Sequence, residues 1–213
     1  MTFLPETGVL LSYTLACVVL FITPGPDMSL QLAKTLAGGR RSGMAAMLGT
    51  MLGCAVHTLL AALGISALLA ASATAFTVLK VVGALYLIWL AVDALRNGSV
   101  LNVKNGAVAE TSVTRDFLVG LGINLTNPKI VLFFVTFLPL FVQADDPNAG
   151  AKLVFLGLYF VALSMPLATL MIFGADRVVA TLRRKPRVLR ALDYTFAGLF
   201  SAFAVKILAA SAR

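Results

Sequence analysis

Six apolar runs, each long enough to cross a bilayer and divided by short polar gaps, constrain this chain more than any other feature. They cover residues 9–33, 44–71, 76–95, 117–142, 153–175 and 194–210. A helix needs about 20 apolar residues to cross the hydrocarbon core. None of the runs alternates polar and apolar residues as a membrane-spanning strand must. Within lipid the backbone must satisfy its own hydrogen bonds, and helices remain. The expected fold is an all-α polytopic membrane protein: six transmembrane helices in a single transmembrane domain over residues 1–213. Composition points the same way. Only 12% of residues are charged and 60% are hydrophobic, against about 25% charged in soluble domains. The lipid bilayer is therefore the main solvent. No Lys or Arg precedes Lys34, so the positive region of a cleaved leader is missing and the first run is expected to stay as a helix.

The net charge of +8 invites a nucleic-acid reading. The basic residues, however, lie in the gaps between apolar runs rather than among aromatics on a folded surface, so nucleic acid is not an expected partner. Their distribution sets orientation instead. Lys34, Arg40 and Arg41 follow the first run. Arg96, Lys104 and Arg115 follow the third, and Arg177, Arg183, Arg184, Lys185, Arg187 and Arg190 follow the fifth. The alternate gaps and the ends hold little beyond Lys80, Lys152, Lys206 and Arg213, with Asp145 and Asp146 opposing them. The odd-numbered gaps are thus expected inside and both termini outside.

Function must reside in the bundle itself, because the longest polar gap, 96–116, is too short for a soluble catalytic domain. No His-Glu-x-x-His or Gly-x-Ser-x-Gly stretch occurs, nor a pair of intramembrane carboxylates. An enzyme, a metal site and a cofactor are therefore not expected. A membrane redox carrier would want a cysteine in each half, yet Cys17 and Cys54 both lie in the first. A non-catalytic structural subunit is the other alternative to transport.

Dividing the chain near residue 105 leaves three runs on each side. Repeat one then covers 1–105 and repeat two 106–213. An odd number of spans forces the halves into opposite orientations, the inverted repeat of secondary transporters, whose first helices are often broken at the binding site. Each half carries such a landmark. Helix one holds Thr23-Pro24-Gly25-Pro26-Asp27, and helix four holds Thr126-Asn127-Pro128-Lys129. Proline has no N–H, so Pro24, Pro26 and Pro128 leave the carbonyls of Leu20, Ile22 and Asn124 without helical partners. Gly25 is expected to supply backbone angles that other residues resist. Such groups persist in a membrane only where protein or a wet cavity meets them.

Asp27 and Lys129 each stand one residue after a proline. An ionised residue within a span costs about 2.5–3.5 kcal/mol on insertion scales and needs a partner. Two readings stay open: a static Asp27–Lys129 bridge, or charges that meet a substrate and protons. In helix two Gly49, Gly53 and His57 share one face at four-residue spacing. The glycines allow close helix approach, and His57 is either a proton acceptor or a polar tether.

These residues resemble a known family. Thr23-Pro24-Gly25-Pro26-Asp27 looks like its helix-one signature, and Leu48-Gly49-Thr50 through Gly53 and His57 to Ala61-Ala62-Leu63-Gly64 like its helix two. Gly83-Ala84-Leu85-Tyr86-Leu87 and Ala94-Leu95-Arg96 are similar to its third helix. Asn127-Pro128-Lys129, Leu132-Phe133-Phe134 and Phe137-Leu138-Pro139 resemble its fourth. Together they resemble the lysine exporter (LysE) superfamily, in its homoserine/threonine exporter (RhtB) branch. The resemblance implies a multi-pass bacterial inner-membrane exporter of amino acids driven by proton antiport; it leaves the substrate, and whether the protein is a homo-oligomer, open.

The residue inventory narrows the substrate. Asp27 offers one carboxylate and Lys129 one cation, two helix starts favour anions, and the freed carbonyls can accept from an ammonium. That set answers an amino acid's α-groups, with no deep carboxylate to spare for a second cation. Homoserine, threonine or leucine is expected over lysine or arginine. The expected binding residues are Pro24, Gly25, Pro26, Asp27, Asn124, Asn127, Pro128 and Lys129, with Asp27 or His57 carrying the proton.

Overall fold

The computed structural model describes residues 5–97, 112–143 and 146–211, and their regular structure is entirely helical. The expected repeat boundary near 105, with Lys104, lies outside the described residues, as do Asp145 and Arg213. The helices are α1 (Thr7–Ile22), α2 (Pro26–Ala71), α3 (Ala73–Asn97), α4 (Val113–Thr126), α5 (Pro128–Leu132), α6 (Ala149–Phe173), α7 (Ala175–Arg184) and α8 (Pro186–Ser211). A π-helical turn, Phe133–Phe137, and a 3₁₀ turn, Leu138–Phe141, continue α5.

Among the described residues four helices are long and apolar enough to cross a membrane. The pair Val113–Thr126 and Pro128–Phe141, bent by 53°, makes a fifth. The chain is a multi-pass α-helical membrane protein. Leucines 11, 15, 63 and 170 are more than half exposed, which is how a lipid-facing surface looks when the lipid is removed.

The first apolar run is not one helix. It breaks after Ile22 and restarts at Pro26, because Pro24 and Pro26 cannot donate to the preceding turn. The restarted helix then runs through the first basic gap, whose Leu, Ala, Lys and Arg are good helix formers. Gly39 alone interrupts it, at φ 76°, ψ 178°. Only glycine adopts those angles without strain. No heavy atom lies within 4 Å of where a side chain would begin at this position, so Gly39→Ala tests backbone strain without a clash. We expect a loss of about 1–3 kcal/mol, measured as a lower unfolding midpoint in detergent; an unchanged midpoint refutes this angle as native.

The fifth gap differs from its expected loop. Ala175, Val179 and Leu182 fall on one face of α7 and are buried, the first two beside Leu32 and Met171, whereas Arg177 and Arg184 are exposed. An apolar stripe three residues long is lost among arginines when hydropathy is averaged. For the same reason α8 starts at Pro186, eight residues before the expected 194.

The site is positioned by the contact of α2 with α4, the most extensive among the described helices. A methyl group on Gly49 would overlap the Phe117 carbonyl, one on Gly120 the Ala46 carbonyl, and one on Gly53 the Asn124 side chain. Backbone therefore meets backbone, as the glycine face of helix two predicts. Ser42 meets Asp116 near the start of the contact and Gly53 meets Asn124 near its end, so the two helices run parallel. Beside them Phe133, Phe134 and Phe137 pack with Phe160, Phe200 and Tyr13 in the main core. Tyr13 donates its hydroxyl to the Leu156 carbonyl at 3.0 Å.

Candidate functional site

Two helix breaks face each other, and each holds the other's charge. In the first, Thr23 closes α1 by donating from both its amide and its hydroxyl to the Val19 carbonyl. Gly25 precedes α2 at φ −164°, ψ −174°. That is extended backbone, open to any residue, which corrects the expectation that glycine is needed there for its angles. A methyl group at this position would make an ordinary 3.7 Å contact with Lys129 Cδ, so space does not demand glycine either.

Asn127 organises the second break. Its Oδ1 accepts the Lys129 amide at 3.1 Å and caps α5 ahead of Pro128, and its own amide donates to the Asn124 carbonyl at 3.1 Å. The Asn127 carboxamide is left with an NH₂ group, and this donates to Asp27 Oδ1 at 2.9 Å. Fully buried Asn124 donates to Asp27 Oδ2 at 2.6 Å. Asp27 thus has one amide donor on each oxygen, both from the second break.

The reciprocal contact is made by Lys129. Its Nζ donates to the Leu20 carbonyl at 2.8 Å and the Thr23 carbonyl at 2.7 Å. Leu20 is an acceptor that the prolines were expected to free; the second acceptor is Thr23 rather than Ile22. The Phe196 ring lies 5.4 Å from the ammonium, and buried Asp193 on α8 is within electrostatic reach. Asp27 and Lys129 form no ion pair with each other, so the direct static bridge is absent. Two intramembrane charges are instead solvated by fixed polar groups of the opposite break, which answers the cost of their burial.

His57 joins the same network through Asn124. Its Nε2 lies 3.4 Å from the Asn124 carbonyl, and its ring stacks on Phe134 with centroids 5.7 Å apart. The histidine thus touches the residue whose side chain holds Asp27. It does not line the adjoining cavity.

That cavity measures about 50 Å³, room for a few waters. Its polar lining includes Asp27, Asn127, Lys129, Gln31, Thr50 and Ser164. Among the described residues Asp27 is the only acidic one that lines it. Pro24, Pro26, Pro128 and Asn124 shape the breaks behind the wall. Among the described residues no three His, Cys, Asp or Glu side chains gather to hold a metal.

Several polar residues here escaped the sequence reading. Asp116, in the first turn of α4, is fully buried against Lys34 at 2.6 Å and accepts from the Ser42 hydroxyl. In sequence it resembles a helix-start carboxylate at the edge of a loop, and its partner lies 82 positions earlier. Asp193 and Gln31 have no flanking proline to advertise them, and Ser164 sits within an uncharged run.

The family model for LysE type translocators matches residues 18–211. An uncharacterized membrane protein of Pseudomonas aeruginosa is 34% identical, over 94% of this chain and 94% of its own. A homoserine/homoserine lactone efflux protein of Salmonella typhimurium is 30% identical, over 95% of this chain and 96% of its own. A leucine efflux protein of an Enterobacter species is 29% identical, over 95% and 97% respectively. No solved structure matches the chain.

Proposed function

This chain belongs to the LysE type translocator family, and on that premise we propose that it exports neutral amino acids across the bacterial inner membrane in exchange for protons. The observation that carries the reading is the pair of crossed breaks. They set one carboxylate, Asp27, and one ammonium, Lys129, in the wall of a single cavity. The substrate ammonium is received at Asp27 and its carboxylate at Lys129. A second cationic group would find no further acidic lining residue, so homoserine, threonine or leucine fits better than lysine or arginine. The efflux relatives named for homoserine and leucine support the same class.

The proposed architecture is an inverted 3+3 repeat. α1 with the arm of α2 before Gly39 counts as the first span and the rest of α2 as the second. α3 is the third, the bent pair the fourth, α6 the fifth and α8 the sixth. The basic gaps face the cytoplasm and both termini face outward. Proton exchange uses Asp27 or His57, which Asn124 links. A proton on Asp27 and a substrate ammonium compete for the same two oxygens, and that competition is the simplest form of antiport.

Efflux of labelled threonine, homoserine, leucine and lysine from proteoliposomes tests both parts. The neutral substrates should leave faster than lysine, and dissipating the pH gradient should abolish their accumulation. Export confined to lysine overturns the substrate class, and gradient-independent accumulation overturns the coupling.

A further inference from the structure

Two buried polar atoms in the cavity wall have nothing to bond to. Gln31, one helical turn beyond Asp27 on the same arm of α2, is 3% exposed. Its Nε2 donates to the Thr50 hydroxyl at 2.9 Å, while that hydroxyl donates to the Met47 carbonyl at 2.8 Å. Thr50 has spent its proton and can only accept from Gln31, which fixes the amide with its oxygen turned elsewhere. Gln31 Oε1 is buried there without a hydrogen-bond partner.

On the facing helix α6, Ser164 is 1% exposed and its hydroxyl is likewise unpartnered. The hydroxyls of Thr14, Thr35, Thr58 and Thr136 turn back to the carbonyl four residues earlier, whereas that of Ser66, which does not line the cavity, is unpartnered too. Ser164 makes no such bond. Gln31 and Ser164 both line the cavity that Asp27 and Lys129 line. A buried polar atom left unmade is costly, and two in one cavity describe a missing group: one that donates to an amide oxygen and exchanges a hydrogen bond with a hydroxyl.

We infer that Gln31 and Ser164 read the side chain of the exported amino acid and select one bearing a hydroxyl. The inference rests on the export reading above and deepens it: Asp27 and Lys129 take the α-groups, and Gln31 and Ser164 take the side chain. About one helical turn, 5–6 Å, separates Asp27 from Gln31 on the arm they share, a span that suits a small hydroxy amino acid. An aliphatic side chain of the same shape would leave both polar atoms unpaired. A site built to bond a hydroxyl rejects the analogue lacking one far more strongly than an apolar pocket rejects an added hydroxyl.

Isosteric pairs provide the test. Proteoliposomes holding the full chain and loaded with labelled threonine are assayed for exchange against external threonine or valine, and against homoserine or norvaline. Wild-type protein should favour the hydroxylated member of each pair by about tenfold or more. Gln31→Met and, separately, Ser164→Ala should lower the ratio to about threefold or less. Ser164→Ala deletes a single oxygen in α6 and preserves the test should Gln31→Met misfold. A wild-type ratio near one, as expected where a water merely bridges the two groups, overturns the inference and leaves amino-acid export standing. So does a ratio that survives in a well-folded Ser164→Ala. Failure to exchange any amino acid, neutral or cationic, overturns both.

Discussion

Asp27→Asn should lower export by two orders of magnitude or more while the protein still reaches the membrane. The variant keeps the volume of the side chain but loses the charge that receives an ammonium. It also turns an NH₂ group toward one of two asparagine NH₂ donors, so one bond of the clasp is replaced by an opposition of donors. Truncating one partner of a buried, hydrogen-bonded charge costs about 2–5 kcal/mol, and each 1.4 kcal/mol is a factor of ten. Lys129→Met should be as severe for a different reason. It strips the donor from the Leu20 and Thr23 carbonyls, each worth about 1–3 kcal/mol if left unmet. The double variant is the informative one. Were the two charges merely neutralising each other, removing both would restore transport; because they do not touch, it should remain inactive. Efflux normalised to membrane abundance measures this, and recovery in the double variant would falsify the proposed roles.

Lys34→Met should be the most destabilising single change at the other polar cluster. Asp116 has no exposed surface, and its Lys34 partner is only 13% exposed. Removing one member of a buried pair costs about 3–5 kcal/mol, because a charge is left behind without its counter-ion. Replacing both members with apolar groups of similar volume is often neutral. The Lys34→Met, Asp116→Leu double variant should therefore be more stable than Lys34→Met alone. Denaturation in mixed micelles gives both values. A loss below about 1 kcal/mol in the single variant would place the pair in water rather than in the protein.

The residues that make the clasp were legible because proline marks them. A proline in an apolar run removes a known donor, and a charge beside it must be met by something, so Asp27, Asn124, Asn127 and Lys129 could be named in advance. The glycine face of helix two was legible through its four-residue spacing. How the charges are met was not. A direct pair is the shorter hypothesis, and only coordinates reveal that carbonyls of one break and carboxamides of the other serve instead. Asp116 and Gln31 were hidden because burial of a polar side chain depends on partners distant in sequence. Helix α7 was hidden because its apolar face is narrower than the window that reveals a span.

The crossed clasp also sets a schedule for biosynthesis. Asp27 lies 97 and 100 residues before its two donors. At roughly 5–20 residues per second on the ribosome, it is made about 5–20 s before they exist. Through that interval the carboxylate and the broken end of α1 must wait in or near the bilayer without the groups that complete them. Lys129, by contrast, emerges when both of its acceptors are already in place. The first half of the chain is a debtor to the second from the moment it is inserted, and a protein truncated before Asn124 carries the unpaired end into the membrane permanently.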